Sequence, residues 1–370
     1  MRGLALLCVA GCVATWEVMA VVSGNALDGW QKPWAYCWWV HSTYAFAMPV
    51  WIACAAHSHA KAGSARPWGA ALGMVAEAWS SLRRPTLILF ALSFMCGYTW
   101  FWSLTSTNVP TNNTLYQTQC AFVFVLSVVF LGERVTRLKV GCVVLAFGGV
   151  ACVCAVPTSS SSGDVKSNQT WGIALALLST SMYACYEVFF DLYASKQLRK
   201  TPLFAAPDTA PLLPRPTGQQ QQQQQQQQNQ QQEAAGATVC GLGDERDGLL
   251  ILGFIGLLTF FLGWIPLPLL SVAGLETFVM PSASTAVKVM TVGLSDLVFN
   301  GFLLVGIRAS TPLIITVGTM MVIPVGFVVD VLTKGYELHP LGVFGVVCTM
   351  LGVIRLNLAG GAGAHDGGKN

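Results

Sequence analysis

Ten apolar stretches, each about the length needed to cross a lipid bilayer, constrain this chain more than any other feature. They fall at roughly 3–23, 34–56, 86–106, 113–132, 138–156, 171–193, 249–271, 286–307, 313–332 and 340–358. A helix crossing the ~30 Å hydrocarbon core needs about 20 mainly apolar residues. Short polar or Pro/Gly-bearing breaks such as SGNALDGWQKP and TSTNVPTNN separate most of these runs. Over half of the 370 residues are apolar and only a tenth are charged, more apolar surface than a soluble chain of this length can hide. The expected fold class is therefore an all-α polytopic membrane protein with ten transmembrane helices and the lipid bilayer as its surroundings.

Charge sets the orientation. With a cytosolic N-terminus, sixteen of the twenty Lys and Arg fall on the cytosolic side, and only Lys32, Lys166, Lys288 and Lys334 fall on the other. That bias supports the count of ten and places both termini in the cytosol. A secretory signal peptide is the rival reading of the first run, but Trp16 and Glu17 suit its end badly and no clear A-x-A site follows.

Other classes drop out. The net charge of +3 is too small to argue for nucleic acid. Eleven of the twelve cysteines lie along the apolar runs, the closest pair being Cys152 and Cys154, and Cys240 lies between runs, so neither a metal site nor a disulfide framework is spelled out. No G-x-S-x-G, H-E-x-x-H or P-loop is present. The sequence thus reads as a non-enzyme, with no cofactor and no metal.

Two short motifs suggest duplication. ATWEV (Ala14–Val18) in the first run and ACYEV (Ala184–Val188) in the sixth each carry a glutamate in an apolar setting. The fourth and fifth runs parallel the ninth and tenth, both pairs ending in a Gly/Val-rich segment with GGV or LGV. Five runs per half is an odd number, so the second half enters from the opposite side. The result is two inverted five-helix repeats with a substrate site between them near the midplane. The expected boundaries are 1–156 for the first repeat, 157–170 for a lumenal or external linker and 171–358 for the second repeat, with a cytosolic tail at 359–370. A disordered cytosolic loop at 195–247 interrupts the second repeat; it holds the glutamine tract Gln219–Gln232, too polar to bury a core.

Polar groups at membrane depth are the candidate binding or coupling residues. A mid-helix charge costs about 2.5–3.5 kcal/mol on insertion scales, so Glu17 and Glu187 need a cavity, a bundle interior or a partner. Either is a candidate to carry a coupling proton; each could also be a structural group held by Ser, Thr or Trp donors. Asp296 and Asn300 lie four residues apart, on one helix face. Asn113, Tyr116 and Gln119 at the start of the fourth run, and Thr316 in the ninth, offer polar atoms beside helix starts, where they can hold a polar substrate or join helices.

The stretch NVPTNNTLYQTQCAFVFVLSVVFLGERVTRLKVGCVVLAFGGVACV, 108–153, resembles the EamA-type repeat of the drug/metabolite transporter superfamily, in which a helix ending in an LGE turn precedes a Gly-rich helix. SMYACYEVFFDLYA (Ser181–Ala194) resembles the sixth helix of solute carrier family 35, subfamily F. The resemblance implies ten helices with alternating access and a cavity lined mainly by helices one to four and six to nine. Helices five and ten would be peripheral, often at a homodimer contact. It implies a small-molecule metabolite as substrate and a Golgi, vacuolar or other endomembrane location ahead of the plasma membrane. The FYNN and GALNK motifs of the nucleotide-sugar branch are absent; YAFAMPVW and GIRASTPL stand in their places. The function expected is secondary-active transport of a small polar metabolite, protons being a possible coupling ion. The alternative is a ten-span sensor, scaffold or trafficking protein that keeps the fold without transport.

Overall fold

The structure is a computed structural model that describes residues 2–61, 63–107, 109–133, 135–154, 169–195, 247–277, 279–326 and 340–363. Nearly all of the linker, the glutamine-rich loop except its end residues, Asp330 and the end of the tail lie outside those residues. Among the described residues every regular element is helical: α1 (Arg2–Leu27), α2 (Pro33–Ser42), α3 (Ala47–Lys61), α4 (Pro67–Ser106), α5 (Val109–Tyr116), α6 (Gln119–Leu126), α7 (Arg137–Cys154), α8 (Gln169–Phe189), α9 (Asp247–Leu262), α10 (Pro266–Val272), α11 (Ala283–Ala309), α12 (Pro312–Thr319) and α13 (Pro340–Gly363). Helix is the expected answer to a lipid environment, because it satisfies each backbone N–H and C=O within one segment.

Five described segments are long and apolar enough to cross a membrane: α1, α4, the stretch Asn112–Leu131 (α5 and α6 taken together across the turn at Gln117–Thr118), α8 and α11. The α9–α10 pair, bent by 42°, makes a sixth if counted as one span. Pro312–Gly326 and Pro340–Leu356 are shorter apolar helices. The second predicted run is divided by a 3-10 turn at Thr43–Phe46. Pro49 follows Ala45 by four residues and has no N–H to bond its carbonyl, so the preceding turn tightens. α4 is 40 residues long, about 60 Å at 1.5 Å per residue, twice the hydrocarbon core. Its apolar half begins at Pro85, just past Arg83 and Arg84.

Outward-facing positions are apolar. On α13, Phe344, Val347, Leu351 and Ile354 repeat at helical spacing and are exposed, as are Leu6, Leu7, Val18 and Val21 on α1. Such faces are stable in contact with acyl chains.

Inside, α1 packs along α11, α4 along α8, and α7 along α13. Lipid supplies no hydrophobic drive between helices, so close approach of small residues takes over. A side chain at Gly149 of α7 would strike Gly345 and Thr349 of α13, and one at Gly352 would strike Cys142 and Ala146. The tightest crossing is α9 against the 3-10 turn, where a Cβ on Gly256 would overlap backbone atoms of Tyr44 and Ala45.

That crossing is testable. Gly256→Ala should destabilise the protein by about 1–3 kcal/mol, read as a lower melting temperature in detergent. Gly73→Ala, with open space around it, should leave the midpoint unchanged or raise it.

Candidate functional site

The site is built where the interrupted helices meet α1, α8 and α11. Helix α8 carries Glu187, fully buried, whose Oε2 accepts a 2.7 Å hydrogen bond from Thr316 Oγ1 on α12. Its Oε1 is buried and has no hydrogen-bond partner among the described residues. Glu187 lines a small cavity with Trp16, Tyr116, Gln119, Tyr183 and Thr316. Tyr183 shares its face because it lies one helical turn earlier.

A second cavity adjoins the first and shares Trp16, Tyr116, Tyr183 and Phe299 with it. Here Asp296 is the centre of a closed network. Tyr44 donates to Asp296 Oδ2 at 2.6 Å, and Asn300 Nδ2 donates to Oδ1 at 2.9 Å. Asn300 Nδ2 also donates to Tyr44 Oη at 2.9 Å, while Asn300 Oδ1 accepts from Tyr183 Oη at 3.0 Å. His41 Nε2 stands 3.5 Å from Asp296 Oδ2, and its ring stacks on Tyr44 with centroids 4.9 Å apart. Gly97 makes room for that imidazole, since any side chain there would overlap it. His41 lies in the last turn of α2 and Tyr44 in the 3-10 turn that follows, which is anchored to α11 by a 2.8 Å hydrogen bond from Thr43 Oγ1 to the Gly293 carbonyl.

The cavities have volumes of about 10 and 30 Å³, room for no more than a water or two. Aromatic rings close them. Trp16 lies 4.6 Å from Tyr116, 5.4 Å from Phe299 and 5.5 Å from Trp100, centroid to centroid.

Most of the residues singled out by sequence meet here. Glu187, Tyr116, Gln119 and Thr316 line the first cavity; Asp296 and Asn300 line the second with Tyr116. Asn113 sits at the edge, its Oδ1 accepting from Trp16 Nε1 at 3.3 Å. Glu17 stands apart: it is half-buried, lines neither cavity, and its Oε1 lies against Gly326. Its neighbour Trp16 lines both cavities, and Met19 of the same helix lines the second. His41, Tyr44, Tyr183 and Trp16 were not singled out as site residues. The polar run His41–Ser42–Thr43–Tyr44 inside an apolar segment, and the spacing of Tyr183 from Glu187, were the available signals.

One further carboxylate was missed. Glu276, in the connection between α10 and α11, caps α2 from far along the chain. Its Oε2 and Oε1 accept 2.9 Å hydrogen bonds from the backbone N–H groups of Trp34 and Ala35. Pro33 opens α2 without an N–H, and the Tyr36 amide reaches the Lys32 carbonyl, so the two oxygens serve the remaining free amides of that turn. Lys32 Nζ to Thr277 Oγ1 (2.8 Å) and Trp30 Nε1 to the Val279 carbonyl (3.0 Å) complete the latch. Burial pushes the Glu276 carboxyl above its ordinary value, opposed by the two amides and by Lys32.

Two outcomes follow for this latch. Glu276→Ala should cost about 1–2 kcal/mol, the usual worth of an N-cap, measured by thermal unfolding in detergent. A raised folded-state value means that this group's stabilisation is complete below the unfolded-state value and is lost as pH rises through the folded one. The melting temperature of the parent relative to Glu276→Gln should therefore rise as pH falls from neutral toward about 4, the ordinary carboxylate range.

Comparison with known proteins gives these residues a setting. No family model matches the chain. An uncharacterized transporter of Schizosaccharomyces pombe is 23% identical over 260 residues, 69% of this chain and 62% of that protein. Solute carrier family 35 member F5 of Macaca fascicularis is 24% identical over 250 residues, 65% of this chain and 46% of its own length. The Mus musculus counterpart matches at the same identity over 38% of its length. These matches thus span less than two thirds of each relative. A solved crystal structure superposes over 98% of this chain and 99% of its own, with a TM-score of 0.57 and 12% identity, which speaks to the fold alone. With its several apolar helices the chain is an integral, multi-pass membrane protein, and in sequence it is similar to solute carrier family 35 member F5.

Proposed function

We propose that this chain is a secondary-active transporter of a small polar metabolite, working by alternating access between two inverted five-helix halves. The observation that carries the reading is Glu187: a fully buried carboxylate with one oxygen unbonded, facing a cavity between helices of both halves. Leaving such a group at membrane depth is costly, and a binding or coupling role explains why it is kept. The names of the relatives, a transporter and a solute carrier, point the same way.

The pattern of packing supports the inverted arrangement. If α1 corresponds to α8 and α4 to α11, the α1–α11 and α4–α8 pairs exchange with each other, as do α6–α8 and α12–α1. The α7–α13 pair maps onto itself. Breaks fall in matching places too: Gln117–Thr118 in the fourth run and Met320–Met321 in the ninth, Thr43–Phe46 in the second and Gly263–Ile265 in the seventh. Interrupted helices at the midplane are the usual substrate ground of such transporters. In this reading ten spans place both termini in the cytosol, an endomembrane is the location, α7 and α13 form a peripheral pair available for a homodimer, and protons are the coupling ion.

Uptake into proteoliposomes with and without a pH gradient tests this. The parent should take up substrate faster with the gradient, and Glu187→Gln should lose that acceleration while keeping its melting temperature. An unchanged response to the gradient would remove Glu187 from coupling. Deleting Gln219–Gln232, which lies outside the described residues, should leave uptake rates unaltered, because that segment only joins two helices; lost uptake in a stable protein would contradict this.

A further inference from the structure

We infer that the occupant of this cavity carries a positive charge on a body with an aromatic or apolar face: an organic cation, such as a protonated amine or a quaternary ammonium compound. This deepens the transporter reading and rests on it for the transport step alone; the binding claim stands on the lining.

The charges around the cavities are lopsided. Among the described residues no lysine or arginine lines either one. The single basic side chain, His41, already faces Asp296 at 3.5 Å. Both oxygens of Asp296 are engaged, Oδ2 by Tyr44 and Oδ1 by Asn300. Glu187 differs, with Oε2 held by Thr316 and Oε1 buried and unbonded. An anionic occupant would meet an unpaired carboxylate with no cation to offset it, in a setting where burial strengthens every charge interaction. A neutral occupant would leave Oε1 without an ionic partner. A cation removes both penalties.

The walls suit the same ligand. Trp16, Tyr116, Tyr183 and Phe299 line both cavities, with centroid separations from Trp16 of 4.6 Å to Tyr116 and 5.4 Å to Phe299. Ring faces attract ammonium and other organic cations within about 6 Å, more strongly when water is excluded. Phosphate and sulfate ligands call instead for guanidinium or ammonium groups, and none is in place. A proton on Glu187 cancels the charge that the cation needs, so proton and cation take this oxygen in turn.

The test uses the full chain and compounds matched in size but not in charge. The cations are 1-methylnicotinamide, phenethylamine and choline; nicotinamide and phenethyl alcohol are the neutral counterparts, nicotinate and phenylacetate the anionic ones. Thermal stabilisation in detergent reports binding, and uptake into proteoliposomes reports transport. At least one cation should stabilise the protein while its neutral and anionic counterparts do not. Glu187→Gln should weaken that binding by about tenfold or more, and Glu187→Asp should restore part of it. Stabilisation or uptake by an anion or neutral compound in preference to its cation would overturn the inference and leave the transporter reading standing. Stabilisation by cations with flat uptake would support the cation site and count against transport. No stabilisation by any of the cations would overturn the inference.

Discussion

In a bilayer the apolar side chains of one helix gain nothing by leaving lipid for another helix, so whatever holds this bundle must be specific contact. Two kinds are present. Glycines at crossings let backbones come close enough for dense packing, as at Gly256 against the 3-10 turn and Gly149 and Gly352 between α7 and α13. Buried polar groups do the rest, joining elements that are far apart in the chain. The Asp296 network ties α11 to α2, to the turn after it and, through Asn300, to Tyr183 on α8. Each such bond is worth only about 0.6–2 kcal/mol, but a carboxylate placed there without them would cost more than any one of them returns. Tyr44, which serves Asp296, lies within the interruption at Thr43–Phe46.

The two buried carboxylates are handled in opposite ways. Asp296 is fully engaged and behaves as a structural hub. Glu187 is half engaged, with a threonine on Oε2, no bond of ordinary geometry on Oε1, and the Gln119 side chain beside the carboxylate. On the proposed reading, that asymmetry separates a group that fixes helices from one kept ready for a ligand. It also explains why the aromatic side chains gather around the pair: rings fill the space between the carboxylates without offering a charge that would cancel either.

The apolar runs were the legible part of the fold, because bilayer thickness leaves few alternatives for stretches of that length. Helix breaks were legible only in part. Pro49 marks the interruption of the second run, but nothing local says that the turn would aim His41 inward beneath Gly97. The matched motifs ATWEV and ACYEV each mark a glutamate in an apolar run, yet the two have different surroundings: Glu187 is fully buried and lines a cavity, whereas Glu17 is half-buried and lines neither cavity. A repeat in sequence places two residues at equivalent backbone positions; it does not make the neighbouring helices present the same partners. In α1 the space facing the cavity is filled by Trp16, and Glu17 is turned toward Gly326. Glu276 was out of reach altogether, because an acceptor supplied from some 240 residues away leaves no mark beside the amides it serves.

The cavities as they stand hold about 10 and 30 Å³, whereas sites for small organic ligands typically run to ~300 Å³ or more. On the proposed reading this conformation is thus an occluded one, and the partition of Trp16, Tyr116, Tyr183 and Phe299 must part before any metabolite fits. The contacts differ in how readily they could yield. Gly-mediated crossings such as α7–α13 lose dense packing over a whole helix if they separate, with no water to compensate. The latch of Glu276, Lys32 and Trp30 consists of hydrogen bonds at a helix end, outside the apolar runs, where water can replace each partner as it leaves. On the proposed reading, opening is cheapest at the latch, with α2 and the α10–α11 connection moving apart while α7 and α13 stay together. Glu187 lies deep in the bundle and the bonds easiest to exchange lie at its rim, an arrangement that, on the proposed reading, would let an occupant reach Glu187 without dismantling the helix pairs that hold it.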